Sequence, residues 1–254
     1  MRNAVKSKLK DGKVVFGISL GIESAEVPYA LGEVGLDWVN FDMQHTPIGL
    51  EKLPSLIQAM SYSETVPIVR VQSNDPGLIN KALDMGAKAV IVPLVNTREE
   101  AKKAVLSARY GPAGLRSWGG RASLRDPDYS TTADREVMII PQIETEAALT
   151  NLESIITTDG IEAVFCGPFD LSMSLGIFRQ FENPVFQEAI ERIVSTCQAH
   201  GVIAGLLAPI GPIQASIKYG FKMISLGGDL PILTQAVSTA LKAARNAANA
   251  HIPN

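Results

Sequence analysis

Hydrophobic positions along the chain cluster into eight short runs, in which almost every residue is apolar and many are β-branched. Because these runs are continuous rather than alternating, they are typical of parallel strands that are covered on both faces. Neighbouring parallel strands must be joined by a crossover, which is usually a helix. The runs cover residues 14–20, 38–41, 66–71, 89–94, 137–143, 163–166, 202–207 and 223–226.

Amphipathic stretches at helical spacing follow these runs, and several begin with Asp, Thr or Pro and end at Gly. They cover residues 24–31, 50–60, 76–85, 98–110, 146–156, 184–200, 212–219 and 231–250. Eight strand–helix units in 254 residues predict an α/β fold, a TIM (β/α)8 barrel that forms a single domain over residues 1–254. An open, doubly wound sheet is the alternative, because the pattern does not show that the sheet closes.

One connection is much longer than the others: residues 111–136 are rich in Gly, Arg, Asp and Ser. Connections in β/α units usually have about 2–6 residues, and longer ones commonly form lids or binding loops. We therefore expect a long active-site loop here. The candidates in this loop for lining the aldehyde site and holding a distal carboxylate are Arg116, Trp118, Arg121 and Arg125, with Arg116 as the leading member, although a solvated arginine is the commoner case.

Composition and charge narrow the class of function. The net charge of -3 gives no basic field for nucleic acid or for an anionic membrane surface. No apolar stretch approaches the roughly 18 residues of a membrane span, and the start of the chain is charged. Cys166 and Cys197 are far apart and lack metal-type spacing, which suits core positions in a reducing compartment. We expect a cytoplasmic protein that acts on a small molecule.

Polar side chains stand at the ends of four predicted strands. Active-site groups of TIM barrels lie at the carboxyl ends of the strands, so the barrel would bring these side chains to one mouth. They are Asp42 and His45 after the second run, Arg70 in the third, Gln142 and Glu144 at the fifth, and Asp170 after the sixth.

Each of these residues also has a structural alternative. Arg70 can pair with Asp42 as a bridge between strands, and Glu144 can cap the helix that follows it. Asp170 can be the N-cap of a helix beginning at Leu171. Their joint occurrence at one barrel face favours a site over four separate structural roles.

Two carboxylates without neighbouring Cys or clustered His form a hard-oxygen site that suits Mg²⁺ or Mn²⁺. Glu144 and Asp170 would leave coordination positions for the carboxylate and keto oxygens of a 2-oxo acid. Arg70 can stabilise an enolate formed from such an acid, and His45 can carry the proton. The residues therefore predict enolate chemistry at a 2-oxo acid.

Two other functions fit the residues less well. A Schiff-base aldolase needs a lysine at a strand end, whereas Lys88 and Lys222 precede their strands, at the opposite rim. A barrel that only binds a 2-oxo acid would not need His45, so the histidine favours catalysis.

Six motifs in order, FDMQHTP, VPIVRVQSNDP, LDMGAKAVIVPLVNTREEA, RYGPAGLR, PQIET and GPFDLSMSLG, carry a resemblance over about residues 16–229. In them the chain resembles the HpcH/HpaI aldolase/citrate lyase family, the class II pyruvate-dependent aldolases. The resemblance implies a barrel assembled as a hexamer, a trimer of dimers that exchange the C-terminal helix. It also implies a divalent metal (Mg²⁺, Mn²⁺ or Co²⁺) and reversible cleavage of a 4-hydroxy-2-oxo acid to pyruvate and an aldehyde.

The resemblance also assigns roles. It makes His45 the acid/base, acting through a metal-bound water, Arg70 the enolate stabiliser and Asp84 an acid that reaches His45 from a neighbouring subunit. We expect Asp42 and Gln44 to orient His45 or the metal-bound waters. The expected catalytic residues are thus His45, Arg70, Asp84 and Asp42. The expected metal ligands are Glu144 and Asp170. The expected substrate contacts are Arg70, Gln142, Phe169, Asp170, Leu207 and Trp118.

Two departures from the family pattern bear on the substrate. Gln44 stands where many members have Glu, and Phe169 stands where many have Ala, which implies a bulkier pocket with one charge fewer. The identity of the aldehyde therefore stays open. The alternatives are an acyl-CoA lyase or oxaloacetate decarboxylase of the same family, or a non-catalytic barrel that binds a 2-oxo acid.

Overall fold

A computed structural model describes residues 2–250 and shows a closed barrel of eight parallel strands, which confirms the predicted TIM barrel. Each strand pairs with the next one along the chain, and the last pairs with the first. The strands are β1 (Val15–Leu20), β2 (Trp38–Asp42), β3 (Val66–Arg70), β4 (Ala89–Val92), β5 (Met138–Ile143), β6 (Ala163–Cys166), β7 (Ile203–Leu206) and β8 (Met223–Gly228). Every predicted run coincides with one strand, although β2 extends one residue and β8 two residues beyond its run.

Helices lie between the strands and at both ends of the described chain. The predicted helix over 146–156 is two helices, and four short helices, α1, α6, α7 and α10 below, were not predicted by the hydrophobic pattern. None of the helices in residues 2–250 is long and apolar enough to cross a membrane. The helices are α1 (Ala4–Lys10), α2 (Glu26–Gly32), α3 (Leu53–Ala59), α4 (Pro76–Met85), α5 (Arg98–Ala108), α6 (Arg121–Arg125), α7 (Tyr129–Glu136), α8 (Glu146–Thr150), α9 (Leu152–Ile156), α10 (Pro168–Ser174), α11 (Pro184–Ala199), α12 (Ile213–Tyr219) and α13 (Asp229–Ala250).

Large side chains fill the inside of the barrel. The rings of Trp38 and Phe165 meet there with centroids 5.7 Å apart. A Cβ added to Gly17 would lie 2.1 Å from a ring carbon of Trp38, so only glycine leaves room for the indole. Val5 and Leu9 of α1 pack against the same interior cluster and close the end of the barrel at which the strands begin.

The alternation of side chains along the strands places the polar residues on the inner face. Successive residues of a strand point to opposite faces, so residues two apart share a face. Ile68 of β3 belongs to the interior cluster, and Arg70 therefore points inwards at the end of the strand. The register of β2 and β3 pairs Asp42 with Arg70. The polar residues at the carboxyl ends of the strands thus lie together at the mouth of the barrel, whereas the preceding residues of these strands are apolar.

Helix α13 begins at the barrel, and its residues 230–249 are all exposed. The carboxylate of Asp229 accepts hydrogen bonds from the backbone N–H groups of Gly21 (3.0 Å) and Ile22 (2.9 Å), which ties the start of α13 to the end of β1. Beyond this anchor the apolar side chains of α13 are about half exposed, including Leu230, Ile232, Leu233, Val237 and Leu241.

Candidate active site

A cavity of about 810 Å³ opens at the carboxyl ends of the strands. The wall of this cavity includes the apolar residues Ala208, Pro209 and Leu226. The strand-end residues that the sequence predicts therefore do converge. Those that line the cavity are His45, Arg70, Gln142, Phe169, Asp170 and Leu207.

Arg70 and Asp42 form a buried ion pair at the floor of the cavity. Arg70 Nε donates to Asp42 Oδ1 at 2.9 Å, and Nη2 donates to Oδ2 at 2.6 Å. Asp42 Oδ1 also accepts the backbone N–H groups of Gln44 (3.0 Å) and His45 (3.4 Å). Asp42 thus orients the guanidinium and the backbone that leads to His45. An orienting effect of Asp42 on the imidazole or on metal-bound waters stays a prediction.

His45 follows β2 in a tight turn and is exposed at the cavity wall. The turn is held by the two backbone hydrogen bonds to Asp42 and by Thr46, whose hydroxyl donates to the Asp42 carbonyl oxygen. The imidazole is therefore placed by its backbone at the mouth, where it can meet a ligand.

Glu144 is a buried carboxylate with two neutral hydrogen-bond donors. Its Oε1 accepts the backbone N–H of Leu94 at 2.7 Å, and its Oε2 accepts a hydrogen bond from Gln142 Nε2. Burial raises the pKa of Glu144 to about 7, and the charge of Asp170 adds to this, against the opposing effects of Leu94 N–H, Arg70 and Gln142. The following helix is capped by Thr145, which accepts the N–H of Ala148, so Glu144 is not the cap.

Leu94 is a site residue that sequence reasoning missed. It has φ of 54°, in the left-handed region that bulky residues rarely adopt. Its side chain is 54% exposed, while its N–H points at Glu144. Leu94 contributes its backbone N–H to the site, so no pattern of side chains could have indicated this role.

Asp170 lies in the first turn of α10, and the N-cap of that helix is Gly167. The alternative that Asp170 caps a helix beginning at Leu171 is therefore wrong, because the helix begins at Pro168. A Cβ added to Gly167 would lie 2.7 Å from Gln142 Nε2 and 2.9 Å from Glu144 Oε2. Glycine at this position lets β6 approach the two side chains closely.

The residues present fit a divalent cation held mainly by its substrate and water. Among residues 2–250 there is no group of three or more His, Cys, Asp and Glu side chains that could enclose a metal. Magnesium commonly takes only one or two protein carboxylates, which Glu144 and Asp170 can supply. Burial raises the pKa of Glu144, and a cation beside this carboxylate would favour its charged form. Gln142 Oε1 is buried without a partner among the described residues, beside the same carboxylates.

Two predicted residues, Asp84 and Trp118, lie outside this cavity in a cluster around Arg116. Arg116 Nη2 donates to Asp84 Oδ1 and to the Tyr129 hydroxyl, both at 2.9 Å. Its guanidinium carbon stands 4.6 Å from the centroid of Tyr110, against which the Trp118 ring packs at 5.3 Å. Burial raises the pKa of Tyr110 to about 12.

This cluster changes the expectation for residues 111–136. The Arg116 side chain is fully buried, so it is neither solvated nor open to a distal carboxylate of the substrate. No described residue of 111–136 lines the large cavity; the segment forms α6 and α7 and packs against α4. A role of Asp84 and Trp118 at an active site therefore requires a second copy of the chain.

Comparisons with known proteins agree with this geometry. A family model described as HpcH/HpaI aldolase/citrate lyase matches residues 20–236. The chain is 35% identical over 241 residues to a 4-hydroxy-2-oxo-heptane-1,7-dioate aldolase of Salmonella paratyphi C (strain RKS4594), covering 92% of each chain. It is 34% identical over 237 residues to a hydroxypyruvate/pyruvate aldolase of Roseobacter denitrificans, covering 91% of this chain and 93% of that one. The chain belongs to the HpcH/HpaI aldolase/citrate lyase family.

The solved structures of the HpcH/HpaI family extend the match to the fold. An HpcH/HpaI family protein from Burkholderia cenocepacia J2315 superposes with a TM-score of 0.90 at 30% identity, covering 96% of this chain and 99% of that one. The relatives named as aldolases make the chain a carbon–carbon lyase, as its sequence predicts.

Within the HpcH/HpaI range the structure adds cavity residues that sequence reasoning missed. Ile232, Gln235 and Ala236 on the first turns of α13 line the cavity. The sequence predicts only the last helix here, because the apolar and small residues of this stretch carry no chemical signal of their own.

Proposed function

We propose that the chain is a divalent-metal-dependent aldolase that reversibly cleaves a 4-hydroxy-2-oxo acid to pyruvate and an aldehyde. The observation that carries the proposal is the arrangement at the cavity floor. There a buried guanidinium, Arg70, stands with two carboxylates, Glu144 and Asp170, below an exposed histidine, His45. Both curated relatives named above are aldolases of 2-oxo acids by their names, which supports this reaction class.

The residues divide the work of cleavage between charge and proton transfer. A divalent cation between Glu144 and Asp170 would supply Lewis-acid polarisation of the 2-oxo group. Arg70 supplies a permanent positive charge that Asp42 holds in place. When the C3–C4 bond breaks, its electron pair moves onto the C2 carbonyl oxygen, and the guanidinium stabilises the enolate. His45 accepts the proton of the 4-hydroxyl group and returns a proton to C3.

Gln142 completes the floor. Its Nε2 donates to Glu144, which fixes the orientation of the amide and leaves Oε1 buried and free to accept a hydrogen bond. A hydroxyl group of the substrate, or a water molecule beside it, is the donor that this atom lacks.

The first test needs no knowledge of the aldehyde. The exchange of pyruvate methyl protons for solvent deuterium, followed by NMR, reports enolate formation directly. We expect exchange with Mg²⁺ or Mn²⁺, its loss with excess chelator, and a fall of about 10²-fold or more in His45→Ala. Absence of exchange with any divalent metal would refute the proposal and favour an acyl-CoA substrate or a binding protein. Oxaloacetate decarboxylation passes through the same enolate and is expected as a side activity.

We further propose a homo-oligomer in which α13 packs on a second copy, with the hexamer expected from the family. Apolar side chains of α13 are about half exposed, as at Leu233 and Val237. Asp84 and Trp118 also need a neighbouring chain to reach a site. Analytical ultracentrifugation of the wild type and of Leu233→Glu tests this, and a monomeric wild type would contradict it.

The two buried free cysteines suit the cytoplasm as the compartment.

A further inference from the structure

The loop between β4 and α5 reaches across to the end of β5 and supplies a hydrogen-bond donor to Glu144. The donor is the backbone N–H of Leu94, which lies 2.7 Å from Glu144 Oε1. Leu94 presents this N–H with a φ of 54°, a conformation that is unfavourable for a leucine. Such a conformation persists where the surrounding contacts over-determine it. Other contacts of the loop must therefore hold Leu94 in place.

Asn96, two residues further along the loop, makes these contacts with its side chain. Its Nδ2 donates to the Leu94 carbonyl oxygen at 3.1 Å, and its Oδ1 accepts a hydrogen bond from the Thr145 hydroxyl. Thr145 directly follows Glu144 in the chain. The Asn96 amide thus joins the residue that provides the donor to the residue beside the acceptor. We call the contacts of Leu94, Asn96 and Thr145 the amide clamp.

The backbone of Asn96 is held as well. Its N–H donates to Glu100 Oε2 at 2.6 Å, and its carbonyl oxygen accepts a hydrogen bond from Asn151 Nδ2 at 2.8 Å. Glu100 also forms the capping box of α5 with Thr97. Both backbone groups and both side-chain groups of Asn96 therefore have partners, which fixes the direction in which its amide points.

The segment after β5 is also tied to the helix that carries Asp170. The N–H of Glu146 donates to the hydroxyl of Ser174, the last residue of α10, at 2.9 Å. The segment that bears Glu144 is hence fixed on one side to the β4–α5 loop and on the other side to α10. A cation held by Glu144 and Asp170 needs both carboxylates in fixed positions, and partners outside the ligand set commonly provide this.

We infer that Asn96 is a positioning residue of the candidate metal centre: through Leu94 and Thr145 it holds the Glu144 carboxylate in the orientation that binds a divalent cation. The inference rests on the proposed function, since it concerns the metal that this function requires. Asn96 is not among the described residues that line the cavity, so it acts through its neighbours. Without the amide clamp, Leu94 can leave the left-handed region, and its N–H then turns away from Glu144.

Calorimetry of Mn²⁺ binding tests the inference without any turnover. In Asn96→Ala we expect the Kd for Mn²⁺ to rise about fivefold or more, the factor that one hydrogen bond of ordinary net strength supplies. Asn151→Ala is the matched control, because it removes a hydrogen bond to the same loop and leaves the amide clamp intact. Its Kd should match that of the wild type. An unchanged Kd in Asn96→Ala, or an equal rise in both variants, would overturn the inference.

A double-mutant cycle tests whether Asn96 and Thr145 act as one device. Thr145→Val keeps the shape of the side chain and removes the hydroxyl that donates to Asn96. It also removes the cap of α8, so the cycle carries the result and the single variant does not. Together with Asn96→Ala it should weaken Mn²⁺ binding by less than the product of the two separate factors. Factors that multiply in full would contradict the amide clamp. Thr145→Ser keeps the hydroxyl and should bind Mn²⁺ as the wild type does.

Hydrogen exchange followed by mass spectrometry gives a second measurement, on the metal-free protein. We expect the peptide that contains Leu94 to exchange faster in Asn96→Ala than in the wild type, because its N–H is no longer held against Glu144. A peptide from β2 should exchange equally in both proteins. Equal exchange of the Leu94 peptide would show that Asn96 does not hold this donor, and the inference would fail.

Exchange of pyruvate methyl protons separates the inference from the proposed function. At limiting Mn²⁺ we expect slower exchange in Asn96→Ala, and saturating Mn²⁺ should restore most of the rate because Arg70 and His45 are unchanged. A loss that persists at saturation would mean a general structural role and would overturn the positioning role. A wild type that binds Mn²⁺ without any exchange would refute the proposed function, whereas the calorimetry would still decide the role of Asn96.

Discussion

Replacing Arg70 with methionine leaves the Asp42 carboxylate in place without its partner. The two side chains are 10% and 8% exposed and share hydrogen bonds of 2.9 and 2.6 Å. Breaking such a buried pair by removing one member costs about 3–5 kcal/mol. In a domain of this size, 1 kcal/mol corresponds to about 2–4 °C in the thermal midpoint, so we expect a fall of about 6–20 °C.

The measurements are thermal unfolding, for the midpoint, and urea unfolding, for the free energy, of Arg70→Met at a fixed protein concentration, because oligomers gain apparent stability from concentration. Lys8→Met is the matched control: it breaks the pair with Asp37, in which Lys8 is 47% exposed, and should cost less than about 1 kcal/mol. Adding Asp42→Asn to Arg70→Met removes the uncompensated charge and should restore part of the loss. If Arg70→Met were as stable as the wild type, or the double variant no better, the pair would not have the energetic role assigned here.

Four further predictions follow from individual contacts. Gly167→Ala should displace Glu144 and weaken Mn²⁺ binding about tenfold or more, measured by calorimetry, with the fold intact by circular dichroism. Leu94→Gly should keep the N–H to Glu144 and relieve the left-handed backbone, so metal affinity should be unchanged and the free energy of unfolding no lower. Burial raises the pKa of the Cys197 thiol to about 12 and that of the Cys166 thiol further, so neither should react with a thiol reagent at neutral pH until the protein is denatured. Dialysis against a chelator should abolish pyruvate exchange, added Mn²⁺ should restore it, and exchange that survives chelation would contradict the metal site.

The hydrophobic pattern was sufficient to predict the strands because a buried parallel strand is apolar on both faces. The same strands then predicted where Arg70, Gln142 and Glu144 would meet, since a closed barrel brings all carboxyl ends to one mouth. By contrast, the hydrophobic pattern did not predict helix α1. Only Val5 and Leu9 of α1 belong to the interior cluster, and a charged segment of seven residues has too few apolar positions to show a helical period.

The sequence did not predict the positions of Arg116 and Leu94 in the structure for a different reason. Arg116 stands in a polar stretch of sequence, and only the fold shows that Asp84, Tyr110 and Tyr129 enclose it. The role of Leu94 lies in its backbone N–H, which every residue type except proline possesses. Sequence reasoning reads side chains along the chain, and so it misses both long-range enclosure and backbone donors.

Helix α1 closes the barrel at the end where the strands begin, and Trp38 and Phe165 fill the space above it. The candidate cavity is consequently closed at its inner end by the packed interior of the barrel. The groups that would hold pyruvate, Arg70 and Gln142, are buried at its inner end, whereas Phe169 stands nearer the opening. In the proposed cleavage we therefore expect the aldehyde to leave before pyruvate, and in the reverse reaction we expect pyruvate to bind first.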